Sequence, residues 1–305
     1  MQSVSIEFAI NRDGGDAHFS GGSNNPNCDF ATVGDKDFLK HGVLFSPMPS
    51  TDNNWQDRGQ TSARHDWIVH RVAETGSTNI DLYSQAERGA EHHTALMADN
   101  QTAGRGRLDR TWEAKSGANL LVSLLFRNSN CDVSMCQRVV AVSAVRACRI
   151  FFDETEKNSA SVKLKWPNDL LLNEKKFGGM LSVADPEQTF IVVGIGINIA
   201  WAPDYAAKLK DFATVKSFSP ADLLNVMIEQ IDISEKYSKD RLHDEYVSVL
   251  STLGKLVRVE LTNGKIVTGR AASLEPNGRL VVEAENERHL IDTGDVVHLR
   301  DANDE

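Results

Sequence analysis

The chain has 305 residues, 41% of them apolar and 25% charged, a balance typical of a globular protein with room for one large domain or two unequal ones. Its net charge of −10 argues against a protein whose main work is neutralising nucleic-acid backbone, so any positive site must be local. Cys28, Cys131, Cys136 and Cys148 fit neither a CxxC redox pair nor a zinc ribbon, and free thiols in a reducing compartment are expected. The first twenty residues lack both a basic region and a continuous apolar run, and no apolar run reaches membrane-span length, which points to the cytosol.

Residues 11–65 are rich in Gly, Asn, Asp and Ser with few regularly spaced apolar positions, so 1–65 is expected to be a poorly ordered extension. Translation starting at Met48 would account for part of it. From His65 the pattern sharpens. WIVHRV (67–72) reads as a buried strand, Ser77-Thr78-Asn79 offers N-cap chemistry for a helix to about Arg88, and TALMAD (94–99) is a second strand. NLLVSLLFR (119–127) is a third, apolar enough to be buried on both faces.

Between the second and third strands lies QTAGRGRLDRTWEAKSGA. Gly104, Gly106 and Gly117 let backbone approach a ligand, while Arg105, Arg107 and Arg110 supply charge suited to a carboxylate or phosphate. A solvated surface loop is the plainer alternative; an anion-binding loop that orders over its ligand is the functional one.

Residues 133–154 carry apolar residues at helical spacing. VKLKW (162–166), LLLN (170–173), FGGMLSV (177–183) and TFIVVGIGINI (189–199) then alternate with polar breaks too short for anything but hairpins. Pro167 should end its strand and display Asn168 and Asp169, either as a surface turn or as a site. Lys176 precedes small residues that allow close approach, although a KK pair is also common on a solvated face. GIGIN (194–198) has Ile199 where a third dinucleotide glycine would fall, which rules out a Rossmann fingerprint. No phosphate loop, zinc helix or nucleophile elbow is present, and His92 and His93 should point to opposite faces of a strand, so no metal site made wholly of protein ligands is expected. Ser219-Pro220 opens a helical region running to about residue 250, and 251–303 alternates apolar and polar residues around Asn263-Gly264 and Asn277-Gly278 turns, as five short strands of a small β-barrel would.

In this order, STN (77–79), QxxGRGR (101–107), WxxxxGxNL (112–120), KWPND (165–169), KxGG (176–179) and GIGIN resemble the bacterial biotin protein ligases. The likeness covers about 66–250 and continues into a C-terminal segment similar to the family's SH3-like barrel; nothing before residue 66 resembles a helix-turn-helix. It implies the single-function type and an α+β fold, a class II synthetase-like mixed sheet with packed helices followed by the barrel. It also implies biotin contacts at Ser77, Thr78, Asn79, Gln101, Arg105, Gly106, Arg107 and Lys176, and ATP contacts at Arg105, Arg107, Trp112, Lys165, Asn168 and Asn198. Lys176, Arg105 and Asp169 would be catalytic, Trp112 an apolar cover, and Mg²⁺ would arrive with ATP. Implied partners are a biotin carboxyl carrier protein or carboxylase subunit, with no DNA, no membrane and a homodimer as one option. Where the family usually has Ser-Pro, this chain has Ala114-Lys115. Competing readings are a lipoate ligase, using the same core, and a nucleic-acid-binding module built on the arginine loop and barrel, which the acidic charge disfavours.

Overall fold

In the computed structural model, residues 66–108, 110–127, 132–152, 161–213, 218–285 and 287–299 are described, together with the backbone of 60–64. Met48 and most of the expected extension lie outside them. The extension's end does not: β1 (Gln60–Arg64) pairs antiparallel with β2 (Trp67–Thr75) at the sheet's edge. Helix α1 (Thr78–Glu87) leads from β2 to β3 (Thr94–Gln101), and because it crosses over, β2 and β3 pair in parallel. β4 (Leu120–Arg127) returns antiparallel to β3 and is buried along all but its last residue, as its unbroken apolar run requires.

Asp132 accepts the Met135 N–H at 2.8 Å and starts α2 (Val133–Ile150), which is buried over most of its length. Four strands follow, β5 (Val162–Lys165), β6 (Asp169–Leu172), β7 (Lys175–Ala184) and β8 (Phe190–Ile197), each antiparallel to the next. β8 lies beside β4, giving the order β1-β2-β3-β4-β8-β7-β6-β5. Ser219 and Asp222 form a reciprocal capping box at the start of α3 (Pro220–Ser234), and α4 (Lys239–Val249) follows.

The two sheet faces are covered differently. Val139, Val142, Leu224, Ile228 and Leu242 of α2, α3 and α4 pack on the face that carries Leu124, Phe126, Val193 and Ile195. On the other face, Leu82 and Ala86 of α1 meet Leu96, Leu125 and Val192. Beyond these contacts, toward the strand ends that point to the arginine loop, that face is left for a ligand. Cys136 and Cys148 are buried, with no disulfide to either among the described residues; Cys28 and Cys131 lie outside those residues.

The C-terminal segment forms β9 (Leu256–Glu260), β10 (Ile266–Leu274), β11 (Leu280–Ala284), β12 (Glu287–Ile291) and β13 (Asp295–His298), all antiparallel, in the order β12-β11-β10-β9-β13. Gly264 and Gly278 take φ of +79° and +98° in the two expected turns, conformations that a side chain would strain. Trp166 joins this unit to the sheet: its backbone N–H donates to Thr252 Oγ1 at 2.9 Å and its indole to the Gly278 carbonyl at 3.0 Å. The fold is therefore the expected mixed sheet with helices on both faces, followed by a small SH3-like antiparallel unit. Among the described residues, no helix is long and apolar enough to cross a membrane.

Leu124 is fully buried between β4 and the helices. Leu124→Ala is expected to cost about 2–5 kcal/mol through lost burial and a residual cavity. Urea unfolding should show a lower midpoint with an unchanged slope.

Candidate active site

A cavity of about 480 Å³ opens on the α1 face, between α1, the arginine loop and the C-terminal unit. Its floor is made by alternation in β8. Ile195 and Ile197 point into the helix-covered core, so Gly194 and Gly196 face the cavity. A Cβ on Gly196 would come within 2.6 Å of the Trp112 indole, and one on Gly194 would overlap the Asn79 amide. The missing side chains are thus what lets Trp112 and Asn79 sit on the sheet.

One end of the cavity is a dense polar network. Ser77 caps α1 by position alone, since its side chain makes no cap hydrogen bond, and it lines the cavity. Thr78 donates from backbone N and Oγ1 to Gln101 Oε1, at 2.8 and 3.0 Å. Ser123, the one polar residue inside LLVSLLF, donates toward Thr78 Oγ1 at 2.8 Å and Asn79 Oδ1 at 2.6 Å. Asn79 Nδ2 reaches the Leu181 carbonyl at 2.9 Å. Both ends of the Asn79 amide are therefore committed to protein, leaving hydroxyls and the Gln101 amide to face a ligand.

The other end is cationic. Arg105, Gly106 and Arg107 line it from the loop and Lys176 from β7. The loop is internally bonded: Gly106 N–H reaches the Arg110 carbonyl at 2.7 Å, and Trp112 N–H the Gly104 carbonyl at 3.0 Å. Lys176 Nζ lies 2.6 Å from Asp169 Oδ1 and 6.0 Å from the centroid of the Trp112 ring. Arg107 donates to Asn168 Oδ1 at 3.4 Å, the Gly294 carbonyl at 3.3 Å and Thr293 Oγ1, while Arg110 pairs with Asp295. The hydrogen bond and charge of Asp295 push the Arg110 pKa up. Burial holds the Lys165 ammonium below its ordinary pKa, against the opposing pull of Asp169 and Asp295.

Asn198 lies at the edge of this region. Its amide donates to the Ala207 carbonyl at 3.3 Å and accepts from Asn119 at 3.3 Å, so it braces the floor as much as it faces a ligand. The Trp112 indole N–H is buried with no hydrogen-bond partner among the described residues, a donor awaiting an acceptor. One expectation is corrected outside the cavity. His92 and His93 do not point to opposite faces of a strand; they precede β3, and their rings lie 3.6 Å apart because His93 takes a left-handed φ of 61°, which breaks the alternation.

Residues 72–199 match the Biotin/lipoate A/B protein ligase family, and residues 252–299 match the Biotin protein ligase C terminal domain. The biotin--[acetyl-CoA-carboxylase] ligase of Mycobacterium tuberculosis is 33% identical over 237 residues, 75% of this chain and 88% of its own length. The chain belongs to the biotin protein ligase family. It is a ligase. The bifunctional ligase/repressor of Bacillus subtilis is 29% identical over 71% of this chain and 69% of its own. Among solved structures, the biotin protein ligase from Aquifex aeolicus in complex with biotin and ATP superposes with a TM-score of 0.61 at 26% identity, covering 76% of this chain and 99% of that one.

Several cavity features of this ligase escaped sequence reasoning. Ser123 had a signal, a lone hydroxyl in a doubly buried strand. Gln137, on α2, had none: it donates to the Pro167 carbonyl at 3.0 Å and accepts from Ser182 at 2.9 Å, bracing the turn that carries Asn168 and Asp169 from behind. Thr293 and Asp295 come from a different unit, about 185 residues beyond the arginines they hold. Lys115, at the departure from the family's usual Ser-Pro, lies 5.6 Å from the Trp201 ring centroid.

Gly196→Ala should push the Trp112 indole off the floor. A displacement costing about 1–3 kcal/mol weakens binding of a biotinyl-adenylate analogue about tenfold or more. Calorimetry should show this loss with the circular dichroism spectrum unchanged.

Proposed function

We propose that the cavity activates biotin with ATP as biotinyl-5′-AMP and then passes the biotinyl group to a lysine of a biotin carboxyl carrier protein or carboxylase subunit. A carboxylate oxygen of biotin attacks the α-phosphorus; the bond to the bridging oxygen breaks and pyrophosphate leaves. The acceptor amine then attacks the acyl carbon, AMP departs with the electron pair of the anhydride bond, and the nitrogen loses a proton. Neither step needs a nucleophile from the enzyme, which agrees with a cavity rich in cations. Catalysis then rests on positioning and on charge placed where negative charge develops.

The observation that carries the reading is the shared cavity of Arg105, Arg107 and Lys176, with hydroxyls and an amide at its far end. Lys176 neutralises charge building between carboxylate and α-phosphate, while Arg105 and Arg107 grip the phosphates. Ser77, Thr78 and Gln101 suit the ureido ring, which needs donors and acceptors together. Trp112 covers the reacting centre and keeps water from the anhydride, and its unpartnered indole N–H meets an acceptor on the ligand. Lys165 and Asn168 meet the nucleotide, and Asn198 holds the floor beneath it. Asp169 and Asp295 offer the oxygen donors that a hard cation takes, so they would hold the Mg²⁺ that accompanies ATP and screens its phosphates. Asp169 is also placed to orient the incoming lysine.

The Leishmania major ligase, solved in complex with biotinyl-5-AMP, superposes with a TM-score of 0.53 at 26% identity, covering 76% of this chain and 98% of that one. Biotin is favoured over lipoate by GRGR and by the C-terminal unit, which matches the biotin ligase domain. We place the enzyme in the cytosol, acting without DNA.

Lys176→Ala should lower ATP–pyrophosphate exchange by about two to three orders of magnitude, a loss of about 2–4 kcal/mol of transition-state stabilisation, with the circular dichroism spectrum unchanged. Exchange at the wild-type rate would remove Lys176 from the chemistry. Offering lipoate in place of biotin should give no exchange.

A further inference from the structure

We propose that His92, His93 and Glu235 form a binding site for a divalent ion of the zinc class, separate from the ligase cavity. None of the three lines that cavity. They meet at the leading end of β3, whereas Gln101 at its trailing end lines the cavity, a separation of roughly 25 Å along an eight-residue strand. One ligand atom from each of the three side chains lies within 4.8 Å of the others.

The His93 ring is held before any ion arrives. It stacks on Trp67, with centroids 4.4 Å apart and planes 10° apart, and Phe126 meets it edge-on at 6.3 Å. Trp67 is itself tied by its indole N–H to Asp232 at 2.9 Å. These contacts orient the ring with Nε2 directed at Glu235 Oε2, 2.9 Å away, and such outer contacts are what orient a ligating imidazole. Glu235 follows the last turn of α3, where the helix dipole disfavours a carboxylate, so the position calls for a positive partner. Zinc bonds of about 2.0–2.1 Å place neighbouring ligand atoms about 3.3 Å apart, so an ion can come between His93 and Glu235 with little movement.

His92 supplies the third ligand. Its Nδ1 accepts the Arg127 backbone N–H at 3.1 Å. Because His92 is exposed, its ring can turn to close the remaining gap. Two imidazoles and one carboxylate suit zinc and its neighbours, whereas Mg²⁺ and Ca²⁺ prefer all-oxygen sets. Water would complete the tetrahedron. The bound ion would tie the start of β3 to the end of α3.

Calorimetric titration of the metal-stripped full-length chain with zinc chloride tests this. One equivalent should bind and the melting temperature should rise; magnesium chloride should do neither at the same concentration. His92→Ala and Glu235→Gln should each weaken zinc binding at least tenfold, and His289→Ala, outside the cluster, should leave it unchanged. Absence of a saturable equivalent overturns the proposal, as does zinc binding of wild-type affinity in His92→Ala and Glu235→Gln.

Discussion

Strand β8 does two things at once, and both the core and the cavity depend on it. Its isoleucines and Val193 hold the sheet against α2 and α3, while Gly194 and Gly196 leave the opposite face flat. Asn79 and Trp112 occupy the space that two Cβ atoms would have taken, one closing the polar end and the other roofing the cationic end. Because neighbouring residues on a strand point to opposite faces, the core cannot be kept while the floor is changed by a shift of register.

Above that floor the cations outnumber the carboxylates, and two of them are held in ion pairs. Lys176 is matched by Asp169 and Arg110 by Asp295, and Arg107 is shared among a side-chain amide, a hydroxyl and a carbonyl. Pairs as exposed as these contribute at most about 1 kcal/mol each to stability, so their arrangement matters more for placing charge than for holding the fold. In the proposed reaction, a triphosphate entering here would exchange carboxylate partners for phosphate oxygens. Three of the contacts come from the C-terminal unit, so that unit forms a wall of the site as well as following the catalytic sheet in the chain.

Much of this was legible in the sequence because period and punctuation are local. The uninterrupted run of β4, the helix start at Ser219-Pro220, and the Asn-Gly turns each follow from a few neighbouring residues. The cluster of Arg105, Arg107, Asp169 and Lys176 followed from the family resemblance and is brought together by the sheet. What was not legible depends on contacts between distant segments. Gln137 behind Pro167, and Thr293 with Asp295 against the loop arginines, join parts of the chain that no spacing rule connects. His92 and His93 failed for a different reason: strand alternation was assumed where one residue takes a left-handed conformation.

The central claim is that a guanidinium from the loop and the amine of Lys176 act on one headgroup. A double-mutant cycle tests it most directly, using Arg105→Ala, Lys176→Ala and the pair, with affinity for a non-hydrolysable biotinyl-adenylate analogue measured by calorimetry. Groups sharing one ligand atom cluster should be coupled by more than about 0.5 kcal/mol. Strict additivity of the two losses would mean that they serve separate ligand groups, and the account of a shared activating site would be wrong.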